Sequence, residues 1–110
     1  MKIYIKRSGG IANRTLEGEV DTGDLSSELS RKAEAMMDAK NLRAIASASR
    51  PAMPDAYRYE IRVGEGSAFR AFTLDEGAVG DEERDVLDGL MREIRRRTRN
   101  GGTGRGKRKR

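Results

Sequence analysis

The segment V-D-T-G-D-L at residues 20–25 contains a motif that has catalytic uses elsewhere. Aspartic proteases carry D-T-G around the catalytic aspartate, and 110 residues is about the length of a protease subunit that builds its active site from two copies. That chemistry needs apolar strands around the motif, so that two carboxylates share a proton in a buried site. Here Glu19 precedes Asp21 and Asp24 follows it. We therefore expect a turn between a strand and a helix, without a catalytic role.

Two other groups of residues have types that could bind a ligand. The first is Ser8, Gly9 and Gly10, whose backbone N–H groups could face a phosphate. Phosphate sites need such glycines to lead into a helix, whereas these lead into a strand. The second is an acidic group: Asp81, Glu82, Glu83 and Asp85. Carboxylates at the start of a helix are explained by the helix dipole, so we expect neither a metal site nor a cofactor.

Composition excludes several classes of chemistry. The chain has no histidine and no cysteine, which removes imidazole bases, thiol nucleophiles, disulfides and thiolate zinc sites. Only 35% of the residues are apolar and 37% are charged, enough for a thin two-layer core. We expect a protein that is not an enzyme. No segment approaches the roughly 20 apolar residues of a membrane helix, and none resembles a signal peptide, so we expect a cytoplasmic protein without membrane contact. We also expect a monomer.

The formal charge of +5 is the sum over two unlike parts of the chain. Nine of the 23 basic residues lie in 95–110, where there is no acid, so residues 1–94 carry 14 basic and all 18 acidic residues. From residue 98 onward there is no apolar side chain to offset the entropy of ordering. We therefore predict one domain over residues 1–95 and a disordered basic Gly/Arg/Lys tail over 96–110.

The tail supports an alternative function. Closely spaced positive charges bind any polyanion in a salt-dependent, sequence-independent way. The candidate residues for nucleic-acid binding are Arg105, Lys107, Arg108, Lys109 and Arg110. A tail that only adds solubility explains the same composition, because no stacking platform or recognition helix is evident.

Alternating apolar and polar residues predict four strands in two hairpins. The first hairpin joins residues 2–6 to 14–20 through a loop at 8–10, and the second joins 57–63 to 67–74. Phe72 and Leu74 are core candidates, and Phe69 falls on the opposite face of its strand.

Two amphipathic helices complete the prediction. One starts at a Ser26 or Ser27 cap and runs to about Lys40; the other follows the acids at 81–85 and ends in the arginines at 95–97. Residues 41–56, which include two prolines, predict an irregular connection. The predicted fold is α+β: a four-stranded antiparallel sheet from two hairpins with both helices on one face, in the order ββαββα and in two layers.

Three short motifs of this chain resemble the emfourin family. They are R-S-G-G at residues 7–10, V-D-T at 20–22 with a leucine at 25, and L-D-E-G at 74–77 before an amphipathic helix. The resemblance covers about residues 2–95 and does not include the basic tail. Emfourin-like proteins are small bacterial inhibitors of protealysin and related thermolysin-like zinc metalloproteases. The resemblance thus implies a protein that binds such a protease and blocks its active site.

The resemblance also suggests which residues make the contact. Thermolysin-like proteases favour a bulky apolar residue just after the cleaved bond, and Leu25 is the first choice because it stands among polar residues. A hydrophobic staple would pair it with Ser30, which is polar. The rest of the edge would be Asp21, Thr22, Gly23 and Asp24. A second contact would use Ser8, Gly9, Gly10 and Ile11. Ile45 and Met53 could belong to the interface or to the core.

An interaction module with another partner also remains compatible with the sequence. If the inhibitor touches the zinc of a partner protease, the ligand cannot be an imidazole or a thiolate. It must be a backbone carbonyl, a carboxylate or the amino terminus.

Overall fold

The structure, a computed structural model, describes residues 1–10, 14–48, 56–65 and 68–105. Within these ranges four strands form one antiparallel sheet: β1 (Lys2–Gly9), β2 (Leu16–Asp21), β3 (Tyr57–Glu65) and β4 (Ala68–Asp75). The helices are α1 (Ser27–Met36), α2 (Ala39–Ala48) and α3 (Asp81–Arg105). The strand order is β2-β1-β3-β4, so the two hairpins join through their first strands. The predicted α+β fold with two antiparallel hairpins is confirmed.

The core lies between one face of the sheet and the helices. Alternate residues of the strands point inward and are buried: Ile3, Ile5, Val20, Tyr59, Ile61 and Leu74. Helix α3 adds residues at helical spacing: Val86, Leu87, Leu90, Met91 and Ile94. Full burial of one such side chain stabilises the fold by about 1.5–3 kcal/mol. The opposite face of the sheet, here called the outer face, is not covered by the helices.

The connection after α1 differs from the prediction. Helix α1 ends at Met36 rather than near Lys40, and α2 occupies part of the segment predicted to be irregular. The Asp38 carboxylate accepts the N–H of Lys40 at 3.1 Å, which supports the start of α2. Leu42 and Ile45 are buried, so Ile45 belongs to the core. Residues 49–55, which include Met53, lie outside the described residues.

Helix α3 is longer than the sequence indicated. Its last turn was predicted at residues 95–97, whereas the helix continues to Arg105. The added segment contains three glycines, which are poor helix formers, so intrinsic propensity does not explain this extension. The division at residue 95 between a domain and a basic tail stays a prediction, and residues 106–110 lie outside the described residues. In the part of the chain that the structure describes, no helix combines the length and the apolar character needed to cross a membrane.

Candidate functional site

The D-T-G motif forms a 3-10 turn, Thr22–Asp24, here called the D-T-G turn, that joins β2 to α1. The Asp21 carboxylate accepts a hydrogen bond from the backbone N–H of Gly23 at 3.0 Å. The N–H of Leu25 donates to the carbonyl of Thr22 at 3.2 Å and closes the turn. Asp21 therefore has the turn-forming position that the sequence analysis expected.

Thr22 ties this turn to two other parts of the molecule. Its hydroxyl donates to the Glu34 carboxylate at 2.7 Å, and its backbone N–H donates to the carbonyl of Met1 at 2.9 Å. Only 2% of Thr22 is exposed, so it fixes the turn from the inside rather than forming its surface. A turn held in this way loses little conformational freedom when a partner binds.

The outward surface of the turn consists of Gly23 and Asp24, which are exposed. Leu25 is half-buried and packs against the hydrophobic core. It is therefore not freely exposed, in contrast to the expectation from its polar neighbours in the sequence. The physical reason is its position where the turn meets α1, directly above the core. A role for residues 21–25 in protease binding stays a prediction.

Two further contacts fix the start of α1 and the side of the turn. The Ser26 hydroxyl accepts the N–H of Leu29 at 3.2 Å, so Ser26 is the cap that the sequence predicted as one of two choices. Asp24 and Arg97 of α3 form an ion pair at 3.7 Å. Because the Asp24 carboxylate is 65% exposed, this pair orients the turn more than it stabilises the fold.

In a carboxylate dyad that shares a proton, the pKa of one carboxyl group is raised. The pKa of Asp21 is lowered instead. The hydrogen bond from the Gly23 N–H is the main cause that lowers the pKa of Asp21, and the nearby amino group of Met1 and Lys2 act in the same direction. The Met1 nitrogen lies 3.6 Å from the carboxylate. Asp21 is therefore mainly ionised at any pH above its ordinary pKa of 3.8.

We expect the Asp21 carboxyl to titrate below its ordinary pKa of 3.8 when followed by carbon-detected NMR in the folded protein. Because folding lowers this pKa, the stabilisation of the turn is present above the ordinary value and is lost as pH falls through the folded one. Asp21→Asn, which retains an acceptor oxygen without the charge, is the control for the turn geometry. A midpoint at or above 3.8 would contradict the bond to Gly23.

The second predicted contact lies at the other end of the sheet. Strand β1 pairs Lys2 with Asp21 at its start and Gly9 with Tyr57 at its end. These two positions are seven residues apart in the strand, or about 23 Å at 3.3 Å per residue. The structure therefore does not bring the two predicted contact loops together. Ile11 lies outside the described residues.

Ser8 and Gly9 are strand residues, not loop residues as predicted. Gly9 has φ +94°, and a Cβ there would lie 2.5 Å from the carbonyl oxygen of Ala56. Gly10 has φ +81°, and its Cβ would lie 2.5 Å from the ring of Tyr57. The Arg7 guanidinium covers the same ring at 4.4 Å from its centre. The R-S-G-G motif thus holds β1 against the start of β3.

The L-D-E-G motif repeats the geometry of the D-T-G turn at the R-S-G-G end. A second 3-10 turn, Glu76–Ala78, follows β4 as the D-T-G turn follows β2, and Gly77 stands where Gly23 stands. Its acids bind within the fold: Asp75 pairs with Arg58 at 3.1 Å, and Glu76 accepts the N–H of Tyr57 at 2.9 Å. This equivalence was not predicted, although V-D-T-G-D-L and L-D-E-G-A-V share one sequence pattern.

The outer face carries a row of residues that begins at the D-T-G turn. Asp21, Lys2, Gly64 and Phe69 are direct partners across the four strands. In the next row, the Arg62 guanidinium lies 5.2 Å from the centre of the Tyr4 ring and 5.9 Å from that of Phe69. A shallow hollow of about 370 Å³ lies among these side chains. It is lined by Lys2, Tyr4, Glu19, Arg62, Gly64 and Phe69.

Large apolar side chains are exposed at this same end. Among the described residues they are Met1, with 37% exposed, and Phe69, with 55% exposed. Phe69 lies on the face of β4 opposite the core, as its position in the sequence predicted, but the sequence pattern assigns it no function. Among the same residues, no three acidic side chains converge as ligands for a metal ion.

Comparison with known proteins gives one match. A family model described as Emfourin matches residues 5–91. This span contains the R-S-G-G motif, both 3-10 turns and residues 81–91 of α3. No curated protein and no solved structure was found to match the chain.

Proposed function

Because the chain belongs to the emfourin family, a family of protein inhibitors of metalloproteases, we propose that it inhibits a thermolysin-like zinc metalloprotease of the protealysin kind. The observation that carries this proposal is the family match over residues 5–91, which spans most of the described fold. In the proposed complex, the D-T-G turn covers the active site of the protease and excludes its substrates.

The rigidity of the D-T-G turn supports its choice as the contact. Hydrogen bonds connect Thr22 to α1 and to the start of the chain, and the carboxylate of Asp21 holds the turn closed. Binding through a turn that is already ordered avoids much of the entropic cost of association. The equivalent turn, Glu76–Ala78, has its neighbouring carboxylates bonded to β3 instead.

The chemistry of this turn limits how it could meet the zinc of the protease. Zinc accepts oxygen ligands from carboxylates, and the chain offers no imidazole or thiolate. The Asp24 carboxylate is 65% exposed although it pairs with Arg97 at 3.7 Å, whereas the carboxylate of Asp21, which precedes the turn, is bonded to Gly23. Asp24 is therefore the residue of the turn that we propose to face the metal.

A bulky residue at Gly23 tests the proposed contact. A Cβ at Gly23 would lie 3.4 Å from the Asp21 carboxylate, an ordinary contact, so Gly23→Trp adds its bulk outside the fold. We expect its inhibition constant against protealysin, measured with a small peptide substrate, to rise by about 10-fold or more, the equivalent of 1.4 kcal/mol. The cause is steric overlap with the walls of the active site.

The matched control is Gly77→Trp in the equivalent turn at the other end of the sheet. Nothing lies within 4 Å of a Cβ at Gly77, so this variant should fold and inhibit like the parent. Equal inhibition by both variants would place the contact elsewhere. If the parent chain fails to inhibit protealysin and several other thermolysin-like proteases, the proposed function is wrong.

The nucleic-acid alternative rests on the charge of residues 95–110 alone. The family match ends at residue 91, so the basic segment is not included in the proposed function.

A further inference from the structure

The half-buried position of Leu25 leaves the D-T-G turn without a bulky, freely exposed apolar side chain. The residues of the turn that face outward are a glycine and an aspartate. Interfaces between proteins obtain most of their binding energy from a few large side chains, aromatic residues above all. A protease contact centred on this turn therefore needs an apolar residue from a neighbouring part of the fold.

Phe69 occupies such a position. It stands in the row that starts with Asp21 and crosses Lys2 and Gly64, so three strand spacings, or about 14 Å, separate its backbone from that of Asp21. Both ends of this row are thus within the footprint of one ordinary protein interface, which buries about 800 Å² on each partner.

We propose that Phe69 is the apolar residue that anchors this inhibitor in its metalloprotease. The contact surface then extends from the D-T-G turn along the row to Phe69, with the protease as the partner that covers the ring. This inference rests on the proposed function, because the same face has no assigned use without a protease.

Single exposed apolar residues are common on protein surfaces, so exposure alone does not indicate a contact. Phe69 differs in the way it is held. The Arg62 guanidinium lies near both the Phe69 ring and the Tyr4 ring, which restricts the orientation of the phenylalanine before binding. Met1, the other large apolar residue that is exposed among the described residues, precedes the row at the same end of the sheet.

The hollow beside Phe69 fits this arrangement. Gly64 puts no side chain between Lys2 and Phe69, so one side of the ring is open to a partner. An apolar pocket of the protease can therefore contact the ring on its solvent-facing side and on the side that faces the hollow. The half-exposed ring would lose its contact with water on both sides.

The test compares Phe69→Ala, Phe69→Leu and the parent as inhibitors of protealysin. We expect Phe69→Ala to weaken inhibition by about 30-fold, the size of a hot-spot truncation. Phe69→Leu keeps an apolar group and should lose less than Phe69→Ala. Thr73→Ala is the matched control, since Thr73 is exposed on the same face of β4 at a distance from the turn, and it should inhibit like the parent.

The outcomes separate this inference from the proposed function. Unchanged inhibition by Phe69→Ala, while Gly23→Trp loses inhibition, would overturn the role of Phe69 and leave the function in place. An equal loss in Thr73→Ala would also overturn it, because the effect would not be specific to Phe69. If light scattering showed a dimer that Phe69→Ala dissociates, a second copy rather than the protease would cover the ring. Failure of the parent to inhibit would overturn both proposals.

Discussion

Leu90→Ala should reduce the free energy of unfolding by about 3 kcal/mol, within the 2–5 kcal/mol that such truncations cost in protein cores. Leu90 lies on the apolar stripe of α3 and is completely buried. Truncation removes its contacts with the core and leaves a cavity that the packed neighbours fill only in part. Since the whole domain is stabilised by only about 5–15 kcal/mol, this is a large fraction of the total. Urea unfolding followed by circular dichroism measures the change.

Leu90→Met is the control for this variant, because it nearly conserves volume and should cost less than about 1.5 kcal/mol. Both variants leave the D-T-G turn and Phe69 untouched. Once corrected for the folded fraction, inhibition by Leu90→Ala should therefore equal that of the parent. A loss below about 1 kcal/mol in Leu90→Ala would show that Leu90 is not in a close-packed core.

Gly9→Ala should be the second severely destabilised variant, with a loss of roughly 3 kcal/mol. The left-handed backbone of Gly9, with φ +94°, costs an alanine about 1–2 kcal/mol. The new Cβ would also lie 2.5 Å from the backbone oxygen of Ala56, directly before β3, so the end of β1 must shift away from the start of β3, at a further cost of about 1–3 kcal/mol. The melting temperature and the urea midpoint report the sum.

Gly77→Ala separates this effect from the general cost of replacing a glycine. Gly77 has open space around its Cβ position and no left-handed backbone. Alanine there restricts the unfolded chain and should leave stability unchanged or raise it by up to about 1 kcal/mol. If Gly9→Ala and Gly77→Ala were equally stable, the close contact between Gly9 and Ala56 would be contradicted.

The parts of the fold that sequence could predict are those with strong local periodicity. Two patterns identified β3 and α3, because each has four or five apolar residues. They are the alternation of Tyr57, Tyr59, Ile61 and Val63 in β3 and the apolar stripe of α3. Helix α2 was missed since its buried face contains only Leu42 and Ile45, and two prolines follow it closely. Two apolar positions do not distinguish a short helix from an irregular connection.

The site was less predictable because its geometry depends on residues far apart in the chain. Polar neighbours made Leu25 look exposed, but the core beneath it is formed by other elements. The position of Phe69 near the D-T-G turn follows from three strand registers, which pass through Lys2 and Gly64. The glycines of R-S-G-G are required by close contacts with Ala56 and Tyr57. These contacts cannot be predicted from a local sequence pattern.

The central place of β1 in the sheet also has a consequence for how the protein is made. As the chain leaves the ribosome, β1 can pair with β2 early, but its other edge stays open until β3 has been synthesised. Pairing between residues so distant in the chain is slow to form, and an open strand edge favours association with other chains. The nascent first hairpin is therefore the stage at which this protein most needs protection from aggregation.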